Sequence, residues 1–200
     1  MSRSSTPRAG LDRPSVIRAA ARLVNAEGAD ALTINRLARE LGVQPPSLYN
    51  HIEGLAGLWR ELALLSTTTL GDRITKASIG KSGPAGIRAL AHAYRAYIQE
   101  FPGLYHANLR ASRNLESPDP RLQAAEERVV QVALAMIESF GLSGEEAVHA
   151  VRALRSMVHG FATLEAAGGF GLPLSLDESF DRLVEMFIRG LENPPEGNRG

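Results

Sequence analysis

The fold of this chain is decided by residues 32–52, which read LTINRLARELGVQPPSLYNHI. The first half of this stretch predicts a helix of barely two turns, because Thr33 is a good helix cap and Gly42 a good helix stop. Apolar residues recur there at the three- and four-residue spacing of one helix face, and they are Ile34, Leu37, Ala38 and Leu41.

The second half of the stretch predicts another short helix. Pro45 and Pro46 are acceptable only in a first helical turn, so the helix is expected to continue through Ser47–Ile52. The polar side chains at its front are not needed for the core, and they are Gln44, Ser47, Tyr49, Asn50 and His51. Two short helices joined at Gly42 predict a helix-turn-helix, whose second helix fits the major groove of DNA. Spacing alone leaves an ordinary helical hairpin, with Tyr49 and His51 as surface residues, as an open alternative.

Helical periodicity extends over nearly the whole chain, and no segment shows the alternation of a half-buried strand. A helix precedes the motif, with Pro14 in its first turn and Gly28 as its stop. A long helix from Leu55 to near Gly80 follows, and it joins this trio of short helices to a larger bundle. The predicted fold class is therefore all-α, with about nine helices in two blocks.

Capping signals place the starts of three helices in the larger block. Asp119 followed by Pro120 is a cap with proline in the first turn. Ser143 and Ser175 each have a glutamate three residues later, which is the pattern of a capping box.

Composition bounds the class of protein. The chain has 200 residues and no cysteine, which excludes disulfides and thiolate metal sites in this sequence. Its longest apolar run, Val132–Ile137, is far short of the roughly 18 residues that a membrane-spanning helix needs. We expect one or two domains of a cytoplasmic protein with no membrane partner.

The net charge of zero conceals an asymmetry that favours a nucleic-acid partner. Residues 1–60 carry eight arginines against five acidic side chains, whereas residues 61–200 carry 14 basic against 17 acidic side chains. Residues 1–10 are rich in Ser, Arg and Pro without an apolar stretch, which predicts a disordered basic arm and not a secretory signal. The basic end of the chain is thus the end that contains the helix-turn-helix.

An enzyme is not expected. The five histidines are His51, His92, His106, His149 and His159. Glu146 and His149 match half of a di-iron helix motif, but no second copy occurs. The glycines at residues 168–171 follow a helix and not a strand, so they do not form a dinucleotide-binding turn. We therefore predict no catalytic residues, no metal and no cofactor.

The stretch 32–52 strongly resembles the helix-turn-helix of the TetR family of bacterial transcriptional regulators. Its Leu-Gly-Val run and the following Pro-x-Leu-Tyr-x-His pattern are the specific part of the match. The resemblance implies that nine positions contact or approach operator DNA: Thr33, Asn35, Gln44, Pro45, Pro46, Ser47, Tyr49, Asn50 and His51. It also implies that Tyr49 and His51 meet phosphates, while Pro45, Pro46, Ser47 and Asn50 read bases.

One position departs from the family pattern. The family usually carries a phosphate-binding lysine where this chain has Leu55. That contact would be missing, or it would be replaced by Arg60 or by the arginines of the N-terminal region, which are Arg3, Arg8 and Arg13.

The C-terminal part of the chain resembles a TetR subfamily named for its Trp-His-Gly motif, of which only His159-Gly160 is kept here. The resemblance implies that the last two helices pair with those of a second subunit in a four-helix dimer interface. The apolar stripes of those helices are candidates for this interface, and they comprise Val151, Leu154, Met157, Val158, Phe161, Phe180, Leu183, Val184 and Phe187.

The middle helices carry aromatic and apolar residues that either form plain core or line a cavity for an apolar effector. These pocket candidates are Trp59, Leu62, Tyr94, Tyr97, Phe101, Tyr105, His106, Met136, Phe140 and Phe161. Possible polar anchors are His106, Asn108 and His92. The expected divisions are the arm at 1–10, the DNA-binding domain at 11–57, the ligand-binding and dimerisation domain at 58–192, and a tail at 193–200.

The function expected from the sequence is a homodimeric, ligand-responsive transcriptional regulator, a repressor released from a pseudo-palindromic operator by a small apolar effector. The alternative is a dimeric helical protein that binds DNA or another partner without an effector.

Overall fold

The computed structural model describes residues 11–111 and 119–193, except the side chains of Asn108, Arg110 and Ala111. In these ranges the chain forms nine α-helices and no strand, as the periodicity predicts. The helices are α1 Arg13–Glu27, α2 Ile34–Leu41, α3 Pro45–Leu48, α4 Gly54–Ser78, α5 Gly83–Glu100, α6 Pro102–Ala111, α7 Pro120–Glu138, α8 Gly144–Ala166 and α9 Leu176–Glu192. One short 3₁₀ helix, Ala29–Ala31, follows α1. The sequence-based arm at 1–10 and nearly all of the tail lie outside the described residues.

Helix α1 begins with a complete capping box that the sequence reading missed. The Asp12 side chain accepts a hydrogen bond from the Ser15 backbone N–H at 2.8 Å, and the Ser15 hydroxyl accepts one from the Asp12 backbone N–H at 3.1 Å. Two of the otherwise unpaired amides at this helix end are thereby satisfied. The first turn of α1 is therefore fixed in place.

Helix α2 has the predicted ends. Thr33 Oγ1 accepts a hydrogen bond from the Arg36 amide at 3.1 Å, and Gly42 follows the helix in the left-handed conformation with φ of 65°. The Val43 amide then donates to the Ala38 carbonyl at 3.0 Å, which satisfies a carbonyl in the last turn.

The prediction of a helix through Ser47–Ile52 is wrong in its bounds. Helix α3 covers only Pro45–Leu48, and the next four residues form turns. The amides of His51 and Ile52 both donate to the Leu48 carbonyl, at 2.9 and 3.0 Å. Leu48 and Ile52 still point into the same core, because this turn returns the chain to the same side after four residues.

The first hydrophobic core joins the short helices to the two helices that follow them in space. Buried residues of α1, α2 and α3 pack there with Leu58 and Leu62 of α4 and with Leu104 and Ala107 of α6. Helix α6 begins 50 residues after the helix-turn-helix, yet one of its faces belongs to this core.

The second core lies within the helical bundle of α4, α5, α7, α8 and α9, with Tyr105 of α6 also contributing. Helix α4 contributes Leu70 and Ile74 to it, so this long helix spans both cores. Gly71 allows α4 to approach α7 closely, since a β-carbon there would lie 3.3 Å from Val129. None of the helices in the described ranges is long and apolar enough to cross a membrane.

Of the three predicted caps in the bundle, two are formed. Asp119 accepts a hydrogen bond from the Arg121 amide at 2.9 Å, and Ser175 accepts one from the Glu178 amide at 3.2 Å. Helix α8 does begin directly after Ser143, but the Ser143 side chain makes no capping bond, so the capping box predicted there is wrong. Gly144, the first residue of α8, has φ of 58°, so the backbone enters the helix in the left-handed region. The Ser143 oxygen makes no hydrogen bond to the helix amides there.

Candidate nucleic-acid interface and sensor core

The residues predicted to approach DNA all lie at the surface of the helix-turn-helix. Six of them are exposed and three are half-buried, the latter being Pro45, Ser47 and His51. Tyr49 keeps 59% of its surface exposed, which is a large exposure for an aromatic side chain. None of the nine is needed to fill the first core, and, apart from the Thr33 hydroxyl that caps α2, their side chains are available to a partner.

The start of α1 lies beside this surface. The pKa of the Asp12 carboxyl is lowered mainly by its two hydrogen bonds to Ser15, and His51 adds a smaller contribution. Arg13 in the first turn of α1 and Ile52 in the turn after α3 line the same cleft, which brings a second helix N-terminus to the edge of the predicted DNA-binding surface. Helix N-termini favour phosphate groups because their free amides and the helix dipole are positive.

Two of the four arginines expected to replace the missing lysine are engaged in ion pairs. Arg13 donates to Glu61 at 2.7 Å, and Arg60 donates to Glu53 at 2.6 Å. Leu55 is 36% exposed at the start of α4. Arg3 and Arg8 lie outside the described residues. In this conformation the positive charges of Arg13 and Arg60 are compensated, so a phosphate would have to compete with a carboxylate for each of them.

Helix α6 contacts the end of α1 at very short range. A β-carbon at Gly103 would overlap the carbonyl oxygen of Val24 in α1 and would lie 2.8 Å from the Asn25 amide nitrogen. The Asn25 side-chain oxygen accepts a hydrogen bond from the Leu104 amide at 2.8 Å. The end of α1 and the start of α6 are thus in direct backbone contact.

The second core contains a chain of hydrogen-bonded side chains. The hydroxyl of Tyr105 lies 2.9 Å from the hydroxyl of Tyr94 and 2.8 Å from His159 Nδ1. Near it, the Tyr97 hydroxyl lies 2.9 Å from Ser66 of α4. Helices α5, α6 and α8 are therefore joined by polar contacts in an otherwise apolar interior.

Burial controls the ionisation of this chain. It raises the pKa of Tyr97 to about 12 and raises the pKa of Tyr94 and of Tyr105 as well. Burial also lowers the pKa of His159, with smaller contributions from Arg155 and His106. The tyrosines stay protonated, and the neutral form of His159 is favoured, which suits an Nδ1 that accepts the Tyr105 hydrogen bond.

The predicted pocket residues do not form one group. Tyr94, Tyr97, Tyr105, Met136 and Phe161 are buried in the second core, and Phe101 and Phe140 pack against its edge. Leu62 and Trp59 lie in or against the first core. Of the polar anchors, His106 is exposed, His92 is exposed and lies 3.0 Å from Asp181, and the Asn108 side chain lies outside the described residues. Of the predicted pocket residues, only those buried in the second core therefore share that core with the hydrogen-bonded chain of Tyr94, Tyr105 and His159.

The predicted dimer residues separate into two sets. Five of them fill the second core of their own subunit, and they are Leu154, Val158, Phe161, Phe180 and Val184. The other four are half-buried against that core: Val151, Met157, Leu183 and Phe187. Only the second set retains surface for another subunit.

Sequence reasoning missed two charged residues in buried positions. Glu61 is 8% exposed and Arg95 is 5% exposed. Arg95 binds Glu165 of α8 with two hydrogen bonds and Asp177 of α9 at 2.8 Å. Each residue lies on an apolar helix stripe of the sequence, and that position is the signal that could have revealed it. Among the described residues no group of three or more His, Asp or Glu side chains could hold a metal ion.

A helix-turn-helix with a free polar surface, joined to a separate helical bundle by shared helices, defines a helical DNA-binding transcriptional regulator. Comparisons with known proteins agree. Residues 16–54 match the family model described as bacterial regulatory proteins, tetR family, and residues 87–187 match the model for the tetracyclin repressor-like C-terminal domain. The chain belongs to the TetR family of transcriptional regulators, which bind DNA and are not enzymes.

The relatives cover almost the whole chain. The uncharacterized HTH-type transcriptional regulator YobS of Bacillus subtilis is 34% identical over 93% of this chain and 95% of its own length. The uncharacterized HTH-type transcriptional regulator Rv0681 of Mycobacterium tuberculosis is 33% identical over 92% of this chain and 83% of its own length. A solved structure of a protein of unknown function from Rhodococcus sp. RHA1 shares the fold, with a TM-score of 0.78, 22% identity, and coverage of 94% of this chain and all of the other.

Proposed function

We propose that this protein is a homodimeric repressor that leaves a pseudo-palindromic operator when a small, largely apolar effector binds in its second core. The observation that carries the proposal is helix α6, because its neighbouring residues Leu104 and Tyr105 belong to different cores. A displacement of Tyr105 by an effector would act on the helix that contacts α1. Solved structures with this fold support both halves of the proposal, since one is BioQ with its natural double-stranded DNA operator and another is a TetR variant with minocycline.

The exposed residues of the helix-turn-helix would read the operator. Tyr49, with its exposed ring and hydroxyl, suits a phosphate contact, whereas the polar side chains of Ser47 and Asn50 would contact base edges. Each good base contact supplies about 1–3 kcal/mol of discrimination between bases. Regulators bind specific sites more tightly than non-specific ones by about 4–10 kcal/mol of binding free energy. The few base contacts that one short helix such as α3 can make supply free energy at or below that range, so two copies related by symmetry are needed.

The second copy would pack on the outer faces of α8 and α9. Val151, Met157, Leu183 and Phe187 form the half-buried apolar residues of these faces. We expect Leu183→Asp to convert the dimer to a monomer in sedimentation experiments, because it places a charge in an apolar interface. Arg182→Asp on the same helix is the control, since Arg182 is exposed and pairs only with Glu178 in the described contacts. A Leu183→Asp protein that remained a dimer would contradict this interface.

The effector would carry one hydrogen-bonding group on an apolar body. Buried aromatic side chains around the Tyr94–Tyr105–His159 chain offer apolar surface, and the chain offers hydroxyl and imidazole partners. By linkage, such a ligand would weaken operator binding by the factor by which operator DNA weakens ligand binding.

The test is a binding assay with duplex DNA selected from a random library by the full-length protein. We expect Tyr49→Ala to weaken binding to all sequences, and Asn50→Ala and Ser47→Ala to relax sequence preference at defined base pairs. Adding a panel of apolar ligands with one polar group should release the selected DNA. Release would favour the repressor with an effector, binding without any release would favour the alternative without one, and an absence of salt-dependent DNA binding would contradict both.

A further inference from the structure

A buried carboxylate lies where the DNA-binding helices meet the start of α7. Glu61 of α4 accepts a hydrogen bond from Arg13 of α1 at 2.7 Å and another from Arg121 of α7 at 2.6 Å. Both bonds reach the same oxygen, Oε1. The Glu61 side chain is 10% exposed, while those of Arg13 and Arg121 are about half exposed, at 50% and 53%.

The surroundings make Glu61 dependent on these two partners. A buried carboxylate requires partners for its charge, because burial removes the water that would otherwise solvate it. Arg121 is itself held at the start of α7 by Asp119, whose side chain is only 11% exposed and lies 2.8 Å away. The hydrogen bonds that Arg121 donates to Asp119 and Glu61 raise the pKa of Arg121, so it remains a cation.

The cluster borders the DNA-binding region. These residues line a cleft of about 230 Å³ together with Ile52, Glu53, Gly57 and Arg60. Ile52 ends the turn that follows α3, and Arg13 belongs to the capped first turn of α1. A change at this cleft is therefore a change at the support of the DNA-binding surface.

We propose that Glu61 couples α7 to α1, and that Arg121 is thereby a positioning residue for operator DNA, although it belongs to α7 and not to the helix-turn-helix. The two arginines share one acceptor atom, so the strength of one bond depends on the other. When α7 withdraws Arg121, Arg13 is the one described partner left to the buried Glu61, and the first turn of α1 loses this link to α7. This coupling rests on the proposed function and adds, beside α6, a second connection between the bundle and the DNA-binding helices.

A double-mutant cycle tests the coupling without DNA or effector. Hydrogen–deuterium exchange of the full-length protein reports the protection of amides at the start of α1. We expect Arg121→Gln to increase exchange in the peptide that contains residues 12–24, and we expect no additional increase when Glu61→Gln is already present. Arg128→Gln is the matched control, because Arg128 is also an α7 arginine that pairs with α4, but through Asp72 at 3.0 Å. Unchanged exchange in Arg121→Gln, or an equal increase in both backgrounds, would overturn the proposal.

A second measurement separates positioning from direct DNA contact. With the selected duplex DNA, we expect Arg121→Gln to lower affinity by about three- to tenfold, as for other couplings carried through a network. The slope of log affinity against log salt should stay unchanged, whereas the loss of one phosphate contact in each subunit would reduce its magnitude by about 0.9 per subunit of the dimer. A reduced slope would show that Arg121 touches DNA and would overturn the positioning role. If no DNA bound at all, the proposed function would fail, while the exchange result would still decide the coupling.

Discussion

Replacing Gly103 with alanine should push α6 away from α1 at their close backbone contact. The new β-carbon would overlap the Val24 carbonyl oxygen and approach the Asn25 amide nitrogen to 2.8 Å. Both obstacles are backbone atoms, which cannot rotate aside, so α6 must move away from α1. Overpacking of this kind costs about 1–3 kcal/mol, and loss of the bond from the Leu104 amide to Asn25 adds about 1 kcal/mol. A gain of up to about 1 kcal/mol from replacing a helical glycine offsets part of this.

We therefore expect Gly103→Ala to lower the free energy of unfolding by about 2 kcal/mol in urea titrations followed by circular dichroism. The protein concentration must be fixed, because association contributes to the stability of a dimer. Gly190→Ala is the matched control, with both variants made in the Leu183→Asp protein, because Gly190 shares the α9 face of Leu183 and Phe187 that the proposed dimer would cover. Gly190 has open space around its β-position within the subunit, so alanine there should stabilise the protein by about 0.5–1 kcal/mol. If Gly103→Ala were as stable as Gly190→Ala, the contact between α1 and α6 would not be the close backbone approach described above.

Three further outcomes follow from hydrogen bonds in the structure. Tyr105→Phe should lower the free energy of unfolding by about 2 kcal/mol, because it leaves the Tyr94 hydroxyl and His159 Nδ1 without this partner. A smaller loss than in Tyr94→Phe would contradict the position of Tyr105 between these two partners. Thr33→Ala should lower the free energy of unfolding by about 1 kcal/mol through loss of the α2 cap, whereas Thr33→Ser should retain most of the stability because serine keeps the hydroxyl. Equal losses in the two variants would refute the cap. The pKa of His159 is lowered in the folded protein, so on acidification the unfolded chain takes up the His159 proton at a higher pH than the folded protein does. The free energy of unfolding should therefore keep the full contribution of His159 above pH 6.5, the ordinary pKa, and should fall as the pH drops below it. Urea titrations at several pH values should show a weaker acid loss in His159→Gln, and parallel curves would exclude His159 as the cause.

The helices were predictable where local chemistry alone fixes their ends. Thr33 and Gly42 bound α2 because a side-chain cap and a left-handed glycine act within a few residues of the backbone they satisfy. The end of α3 was not predictable in this way. Leu48 and Ile52 are four residues apart and both buried, and a helix or a pair of tight turns can produce that spacing.

The candidate DNA-binding surface was predictable because it consists of polar residues that the first core does not need. Glu61 was not, since its partners are 48 and 60 residues away and no local pattern pairs them. Its place on the apolar stripe between Leu58 and Leu65 indicated burial, but burial alone does not name a partner. Arg95 is a similar case, because Glu165 and Asp177 reach it only after the bundle has formed.

The packing of Leu104 and Ala107 against α1 limits how this regulator can be recombined with others. A hybrid made by joining residues 11–57 to a foreign sensor would lose these two apolar residues and the Asn25 partner in α6. The orphaned end of α1 would expose apolar surface and an unpaired amide side chain. A transplantable module should therefore include the first turns of α6, or the foreign α6 should be given a glycine and a leucine at the positions of Gly103 and Leu104.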